Sequence, residues 1–578
     1  MNLCLHQCRA ITERMKIKTI TIRNYRSIKE ITLVFPNDNK PLVLFGANNA
    51  GKSNILSALH ALIKGVDDPP KGEVSVLSND QGKLYLPSTV KMVPEDKVEA
   101  EIKESNVEGW LVGVDDSTSI SIQYEDGSIR DITFRKDLKT GKYVSNFDPH
   151  DFEVLPDLEG QKYFAAACRL YKEPENFIHH ANSKFVEAWI RDMKVDLSND
   201  MDLKEFASIV PKSFEFYEYG RKINPFNLGE GQKSYITRLN VLVQLQEHKD
   251  REEKLYKSDK CYLALIDEPE THLHPNAEAK LLETIEKSSK KGIQVIYTTH
   301  SENLLNAEFL EGFVRVYNEK GITKVRQLTK TELFHTCHPA SEILNEKSPI
   351  GDYWSVKLNS DQLKGFFANI ILLVEGQTEQ YALPIYLGQS CLYKNGIQIV
   401  PCYSKTAIQN YWRLFTAYGY KCFILYDYDT DEDKKTNEEL KAYFNPPIKT
   451  GEHYEISRTA AYFQNNWEEY FKSDLGSEYK TIKDDLKRDY EIPLNEDNKD
   501  KDKNKKKELN AKALQAKAIA LCSQRVGHCD IPFINDLKDK LEELDGMSQA
   551  EYAEYVNSVE ERLKALEEQN KKIKSNSR

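Results

Sequence analysis

Four carboxylates stand in two close pairs, each after an apolar run. "FFANIILLVEG" ends on Glu375, with Glu379 just beyond, and "KCFILYDYDTDED" ends on Asp427 and Asp429. Fully apolar runs of this length read as strands buried on both faces of a parallel sheet. Such sheets place their sites at the C-terminal ends of strands. Acids converging on two strand ends repel one another unless a cation joins them. The spacing therefore predicts a divalent metal held by Glu375, Glu379, Asp427 and Asp429. Any one of these acids alone reads equally well as a solvated helix cap; two pairs after two apolar strands argue against that. Thr378 is expected to cap a helix that starts at Glu379.

A second set of residues is suited to a nucleotide. "PLVLFGANNAGKSNILSALHALI" runs from an apolar strand, Leu42 to Phe45, through Gly46-x4-Gly51-Lys52-Ser53 into a helix carrying Ile55, Leu56, Leu59 and Leu62. Glycines let backbone N–H groups close around phosphate oxygens, with Asn48 inside the loop. Lys52 offers charge to the β and γ phosphates, and Ser53 a hydroxyl to Mg²⁺. "CYLALIDEPETHLHP" places Asp267 and Glu268 at the end of another strand. Asp267 is suited to holding Mg²⁺ through water and Glu268 to orienting an attacking water, while Pro275 suits the first turn of the next helix. "GIQVIYTTHSENLL" brings His300 to a third strand end, in reach of a γ-phosphate. A lone histidine is more often structural, but this one follows the acid pair by one helix and one strand.

These motifs need an α/β framework, and the bulk properties allow one. The chain has 578 residues, 40% hydrophobic and 30% charged, enough for two or more packed domains rather than disorder. Its net charge is −11, from 80 basic and 91 acidic residues. That excludes a surface coated with nucleic-acid-binding charge but leaves room for local basic grooves. Ten cysteines lack a paired zinc spacing and read as reduced thiols of a cytoplasmic protein. No apolar run approaches the roughly 18 residues of a membrane span. "MNLCLHQCRAITER", residues 1–14, is too polar for a signal peptide and is expected to be a disordered leader or the product of an upstream start codon. "MKIKTITIRNYRSIKEITLVF" alternates as paired strands do. "NSKFVEAWIRDMKVDL" and "DLKEFASIV" read as short helices, equally an inserted packing or dimerisation element near 170–222 or ordinary helices of the ATPase domain. "NEDNKDKDKNKKKE" reads as a mobile mixed-charge loop, with contact to DNA phosphates as the alternative. After Pro532, Ile534, Leu537, Leu541 and Leu544 recur at helical spacing, and a last amphipathic helix follows.

Two resemblances follow from these residues. "NPFNLGEGQKSYITRL", ahead of the Asp267 strand, resembles the signature of ABC-type ATPases, with Gly229, Gly231 and Gln232 at nucleotide-facing positions and Gly229 where that family usually has serine. That resemblance implies ATP as ligand and head-to-tail pairing of ATPase domains, hence a homodimer or homotetramer. From Ser53 to Leu228 no heptad repeat is sustained, so the arms of an SMC-type machine are absent. "LLVEG-x-TE" followed by strand-D-x-D resembles the Toprim domain of topoisomerases, primases and one nuclease family. An ABC-type ATPase followed by Toprim is similar to the OLD family (overcoming lysogenisation defect) of ATP-dependent endonucleases, which includes the Gabija nuclease subunit and some retron effectors. The resemblance spans nearly all of 15–525. It implies an ATPase domain at 15–362, a Toprim domain at 363–532 and a helical segment at 533–578. It also implies Mg²⁺ or Mn²⁺, a DNA substrate and a role in anti-phage defence. A partner could be a reverse transcriptase with its small DNA–RNA product, or a helicase-like subunit. A later metal-binding acid falls on Glu468, with Glu469 the alternative. A catalytic lysine falls on Lys512, with Lys517 the runner-up. Two other functions stay open: a nucleotide-sensing interaction protein with a non-cleaving Toprim domain, and a topoisomerase or primase, for which no separate DNA-breaking domain is evident.

Overall fold

The computed structural model describes residues 16–64, 118–136, 261–337, 350–428, 434–444, 453–467 and 531–576. Shorter stretches are also described: 77–78, 83–86, 91–94, 143–146, 152–156, 194–196, 215–218, 221–223, 242, 246, 249–250, 449–450, 469–471, 477 and 480–481. The chain forms two compact units, Met1–Gln327 and Leu328–Arg578.

In the first unit, β1 (Ile17–Tyr25) and β2 (Ile28–Val34) pair antiparallel, with Ile20 opposite Leu33 and Ile22 opposite Ile31. The alternation of "IKTITIRNY" buries Ile17, Ile20, Ile22 and Tyr25 on one face. β3 (Leu42–Phe45) is buried at all its positions and leads into α1 (Lys52–Lys64), which buries Ile55, Leu56, Ala58 and Leu59. β4 (Ser119–Tyr124), β5 (Ile129–Lys136) and β6 (Tyr143–Ser145) extend the first sheet in the order β2-β1-β4-β5-β6. A second sheet uses β7 (Phe152–Pro156) and β8 (Cys261–Ile266), then α2 (Pro275–Lys290) and β9 (Gln294–Thr299), then β10 (Phe313–Glu319) and β11 (Ile322–Gln327). Its order is β7-β8-β9-β3-β10-β11, parallel except for the final β10–β11 hairpin. Pro275 opens α2, where its fixed φ and missing N–H cost nothing. Each fully buried aliphatic in β3, β8 and β9 contributes about 1.5–3 kcal/mol.

The second unit begins with α3 (Lys330–Cys337) and α4 (Ile350–Lys357). Its sheet contains β12 (Ile370–Val374), which leads into α5 (Gln377–Leu387), and β13 (Ile397–Pro401), which leads toward α6 (Lys405–Ala417). β14 (Lys421–Asp427), α7 (Lys434–Phe444), β15 (Lys449–Thr450), β16 (Tyr454–Ile456) and β17 (Ala460–Phe463) follow. The order is β13-β12-β14-β17-β16-β15, with β13, β12, β14 and β17 parallel. α8 (Pro532–Gly546) and α9 (Gln549–Asn576) close the unit.

Several expectations change. Residues 328–362, assigned from sequence to the ATPase half, group with the second unit. Trp354 of α4 packs on Tyr411 of α6 at 5.6 Å, and Gln362 donates to the Pro401 carbonyl at 2.7 Å. The expected helix through 182–197 contains instead a strand, Lys194–Asp196, in a small sheet with Glu215–Glu218 and Arg221–Ile223. The other helix expected in this region, 202–210, lies outside the described residues. The helices after Pro532, which read from sequence as packing or oligomer helices, do pack. Phe533, Ile534, Leu537, Leu541 and Leu544 join the core of the Toprim-like sheet, and Tyr552 donates to its Cys422 carbonyl at 3.4 Å. The leader at 1–14 and the mixed-charge loop lie outside the described residues.

Candidate active sites

In the first unit, β8, β9 and β3 are parallel neighbours, so Asp267, His300 and the glycine loop emerge at one sheet edge. The loop has the backbone a phosphate cradle requires. Gly46 sits at φ +149°, where an added Cβ would lie 2.0 Å from the Val316 carbonyl oxygen. Gly51 sits at φ +105°, where a Cβ would lie 2.0 Å from Thr323 Oγ1. Only glycine is admitted at either position. Asn48 is exposed, and Ser53 is exposed at the start of α1. Lys52 is buried, its Nζ donating to the carbonyls of Gly46 and Ala47 at 3.0 Å each. Desolvation holds its pKa below the ordinary lysine value, opposed by the charges of Glu268, Asp267 and Glu270. A cation inside a glycine-built concavity, faced by Asp267, an acid suited to a hydrated cation, and by Glu268, fits a magnesium nucleotide.

The strand ends are stitched together by short hydrogen bonds. Thr298 donates to Asp267 Oδ1 at 2.5 Å and accepts the Glu268 N–H at 2.8 Å. Glu268 adopts φ +42°, an uncommon left-handed conformation for a residue with a side chain. Its carboxylate lies 3.4 Å from His300 Nε2. Burial, then Lys52, holds the His300 pKa below its ordinary value, so the imidazole is neutral at neutral pH. Glu270, which sequence reasoning passed over, accepts the His300 N–H at 2.5 Å. Its signal was present as a third acid in "DEPETHLHP". Gly229, Gly231 and Gln232 lie outside the described residues.

In the second unit, β12 and β14 are parallel neighbours in register, Val374 beside Leu425, which brings Glu375 and Asp427 to adjoining strand ends. The Asp427 N–H donates to Glu375 Oε2 at 3.4 Å, and Asp427 Oδ1 accepts the Trp467 N–H at 2.9 Å. Glu379 is buried, and its Oε2 accepts the Gly376 N–H at 3.1 Å. The helix therefore starts at Gln377 with Glu379 reaching back over its first turn, and Thr378 is not its cap. Lys405, at the start of α6 just beyond β13, is 3% exposed and lies 3.8 Å from Glu375 Oε2. Sequence reasoning missed it, although "IQIVPCYSKT" marks a strand end followed by a basic residue. Two acids at adjoining strand ends, offset by one buried lysine, suit part of a divalent-cation site. Among the described residues no group of three or more His, Cys, Asp or Glu side chains assembles. Asp429, Glu468, Lys512 and Lys517 lie outside the described residues, and Glu469 is exposed.

Comparison with known proteins matches these halves separately. The family model "AAA ATPase domain" matches residues 15–219. An AAA domain model described for AbiEii-type toxins of type IV toxin–antitoxin systems matches 134–306. The model "Overcoming lysogenization defect protein-like, TOPRIM domain" matches 366–429, which contains Glu375, Glu379, Asp427 and Asp429. The Old nuclease of Escherichia phage P2 is 25% identical over 72% of this chain and 77% of its own length. Endonuclease GajA of Bacillus cereus is 26% identical over 30% of this chain and 26% of its own length. The SMC head domain from Thermotoga maritima is 12% identical, covering 54% of this chain and 99% of that one with a TM-score of 0.28, too slight a likeness to add to the fold seen directly. Among the described residues no helix is long and apolar enough to cross a membrane. The chain is thus similar to an AAA-type ATPase domain over residues 15–219, to an OLD-like TOPRIM domain over 366–429, and to the P2 Old nuclease across most of both chains.

Proposed function

We propose that the chain is an ATP-regulated, metal-dependent DNA endonuclease, acting as an effector of anti-phage defence. The observation that carries this reading is the pairing of Glu375 and Asp427 at adjoining strand ends inside the OLD-like TOPRIM match. Two relatives named as nucleases support it.

Glu375 and Asp427, with Glu379, Asp429 and Glu468, would hold Mg²⁺ or Mn²⁺. Such an ion supplies an activated water and stabilises the leaving oxygen of a phosphodiester. The chain's own residues fix the geometry. Trp467 N–H orients Asp427, and Lys405 offsets the charge of Glu375. Lys512, or Lys517 in its place, would neutralise charge at the scissile phosphate. In the first unit, the loop from Gly46 to Ser53 would bind the ATP phosphates, and Asp267, with the Ser53 hydroxyl, would orient the accompanying Mg²⁺. Glu268 and His300 would orient the attacking water and sense the γ-phosphate. Gly229, Gly231 and Gln232 would complete the site of another subunit, making a dimer or tetramer. ATP then governs access to DNA and does not take part in the bond-breaking chemistry.

The test is cleavage of supercoiled plasmid by purified full-length protein, with Mg²⁺ and Mn²⁺ separately and with or without ATP. Cleavage that disappears in Asp427→Ala supports the reading. Undiminished cleavage by Asp427→Ala removes the TOPRIM site from the mechanism, and no cleavage of any DNA by wild type favours a binding module.

A further inference from the structure

Within the ATPase reading, on which this inference rests, one buried acid has no role yet. Glu270 lies in the turn after β8, beyond Asp267 and Glu268. One carboxyl oxygen accepts the His300 N–H at 2.5 Å, while Oε2 is buried without a hydrogen-bond partner. Thr299 also bonds to the Glu270 side chain. The turn is braced: the Glu268 carbonyl accepts from the Thr271 N–H and hydroxyl at 3.1 and 2.9 Å, and the Glu270 carbonyl from the Leu273 N–H at 2.9 Å.

We propose that Glu270 is a positioning residue for ATP hydrolysis: it latches the backbone of His300 to the Asp267–Glu268 turn, and it does so as a hydrogen-bond acceptor rather than as a charge. Thr298 and Glu270 both tie this turn to β9 and the residue after it. Thr298 holds Asp267 and the Glu268 N–H, and Glu270 holds His300. The second holds the backbone of the residue whose Nε2 lies 3.4 Å from Glu268. Without it, His300 keeps its chemistry but loses its register against Glu268, and small misplacements at a reacting centre slow turnover steeply.

The acceptor role follows from the second oxygen. A carboxylate leaving one oxygen buried and unpaired is costly, whereas a neutral carboxyl or amide in the same place costs less. Burial raises the Glu270 pKa, with the His300 N–H opposing. A third full negative charge beside Asp267 and Glu268 would also oppose an incoming triphosphate. Two acids in one short turn thus have opposite needs: Glu268 its charge, Glu270 its acceptor oxygen.

The experiment compares Glu270→Gln, Glu270→Ala, His300→Ala and the Glu270→Ala/His300→Ala double variant in the full chain. Affinity for a fluorescent ATP analogue, kcat and KM for ATP, and the melting temperature are measured for each. Glu270→Gln, which keeps an acceptor oxygen, is expected to hold kcat within about two-fold of wild type, and Glu270→Ala to lower it by about ten-fold or more with nucleotide affinity nearly unchanged. The double variant is expected to turn over no more slowly than His300→Ala, because the latch acts only through the His300 side chain and has nothing to position once that side chain is gone. A Glu270→Gln chain as slow as Glu270→Ala, with normal melting and binding, overturns the acceptor role. Additive losses in the double variant overturn the latch. Normal kcat in Glu270→Ala sinks the proposal and leaves the ATPase reading standing, whereas a wild-type chain that binds and hydrolyses no ATP sinks both.

Discussion

Glu268 and His300 face each other at 3.4 Å, and their environments assign them different work. Glu268→Gln keeps the shape of the side chain and loses its charge. It is expected to retain ATP and slow turnover on the order of 10²-fold, checked by steady-state hydrolysis beside equilibrium nucleotide binding. A wild-type rate in this variant would remove Glu268 from the mechanism. His300 makes a pH prediction. Its folded pKa lies below the ordinary 6.5, so on acidification the unfolded chain takes up this proton before the folded one does. Stability from this residue is intact above about pH 6.5 and lost as pH falls toward the folded pKa. Melting curves from pH 7.5 down to 5 should therefore fall less steeply for His300→Asn than for wild type. Equal slopes would show that His300 titrates as it does when unfolded.

The glycine loop and the closing helices carry the predictions for elements. Gly46→Ala drives a methyl into the Val316 carbonyl, at a cost of about 1–3 kcal/mol and with loss of ATP binding, readable by urea unfolding and by nucleotide titration. Leu537 is fully buried in the core of the second sheet, so Leu537→Ala should cost about 2–5 kcal/mol by the same unfolding measurement. How far such elements were legible depended on how local their cause was. Leu42 to Phe45 and Pro532 to Gly546 announced themselves by apolar period and by proline, and both stand where the pattern put them. The cap of α5 did not, because the competition between Thr378 and Glu379 for the first turn is settled by where each side chain reaches. The roles of Glu270 and Lys405 were harder to read than their residue types, for a related reason. Each matters through a partner distant in sequence, His300 for one and Glu375 for the other, and only strand pairing brings those partners close. The grouping of 328–362 with the second unit turns on Trp354 and Gln362, whose partners lie beyond residue 400.

For the whole molecule, the two candidate chemistries lie in separate compact units, so they should be separable by mutation. Asp427→Ala is expected to lower DNA cleavage on the order of 10²-fold or more and leave ATP hydrolysis near wild type. Lys52→Ala should lose nucleotide binding yet keep some cleavage of naked DNA, because phosphodiester hydrolysis consumes no ATP. Paired ATPase and plasmid assays on preparations of matched oligomeric state check both. A Lys52→Ala protein dead in both assays would show that nucleotide assembles the nuclease site. The order in which the chain is made adds a constraint of its own. The strands carrying Glu375 and Asp427 are synthesised well before α8 and α9, yet their core includes Phe533, Leu541 and Tyr552, and Tyr555 bonds Thr459 at 2.5 Å. A nascent chain halted before those helices holds the acidic strands with one face uncovered. A chain ending before Pro532 would still carry Glu375 and Asp427 but would lack Phe533, Leu541 and Tyr552 from the core of the sheet that presents them, so the closing helices are needed to complete that sheet.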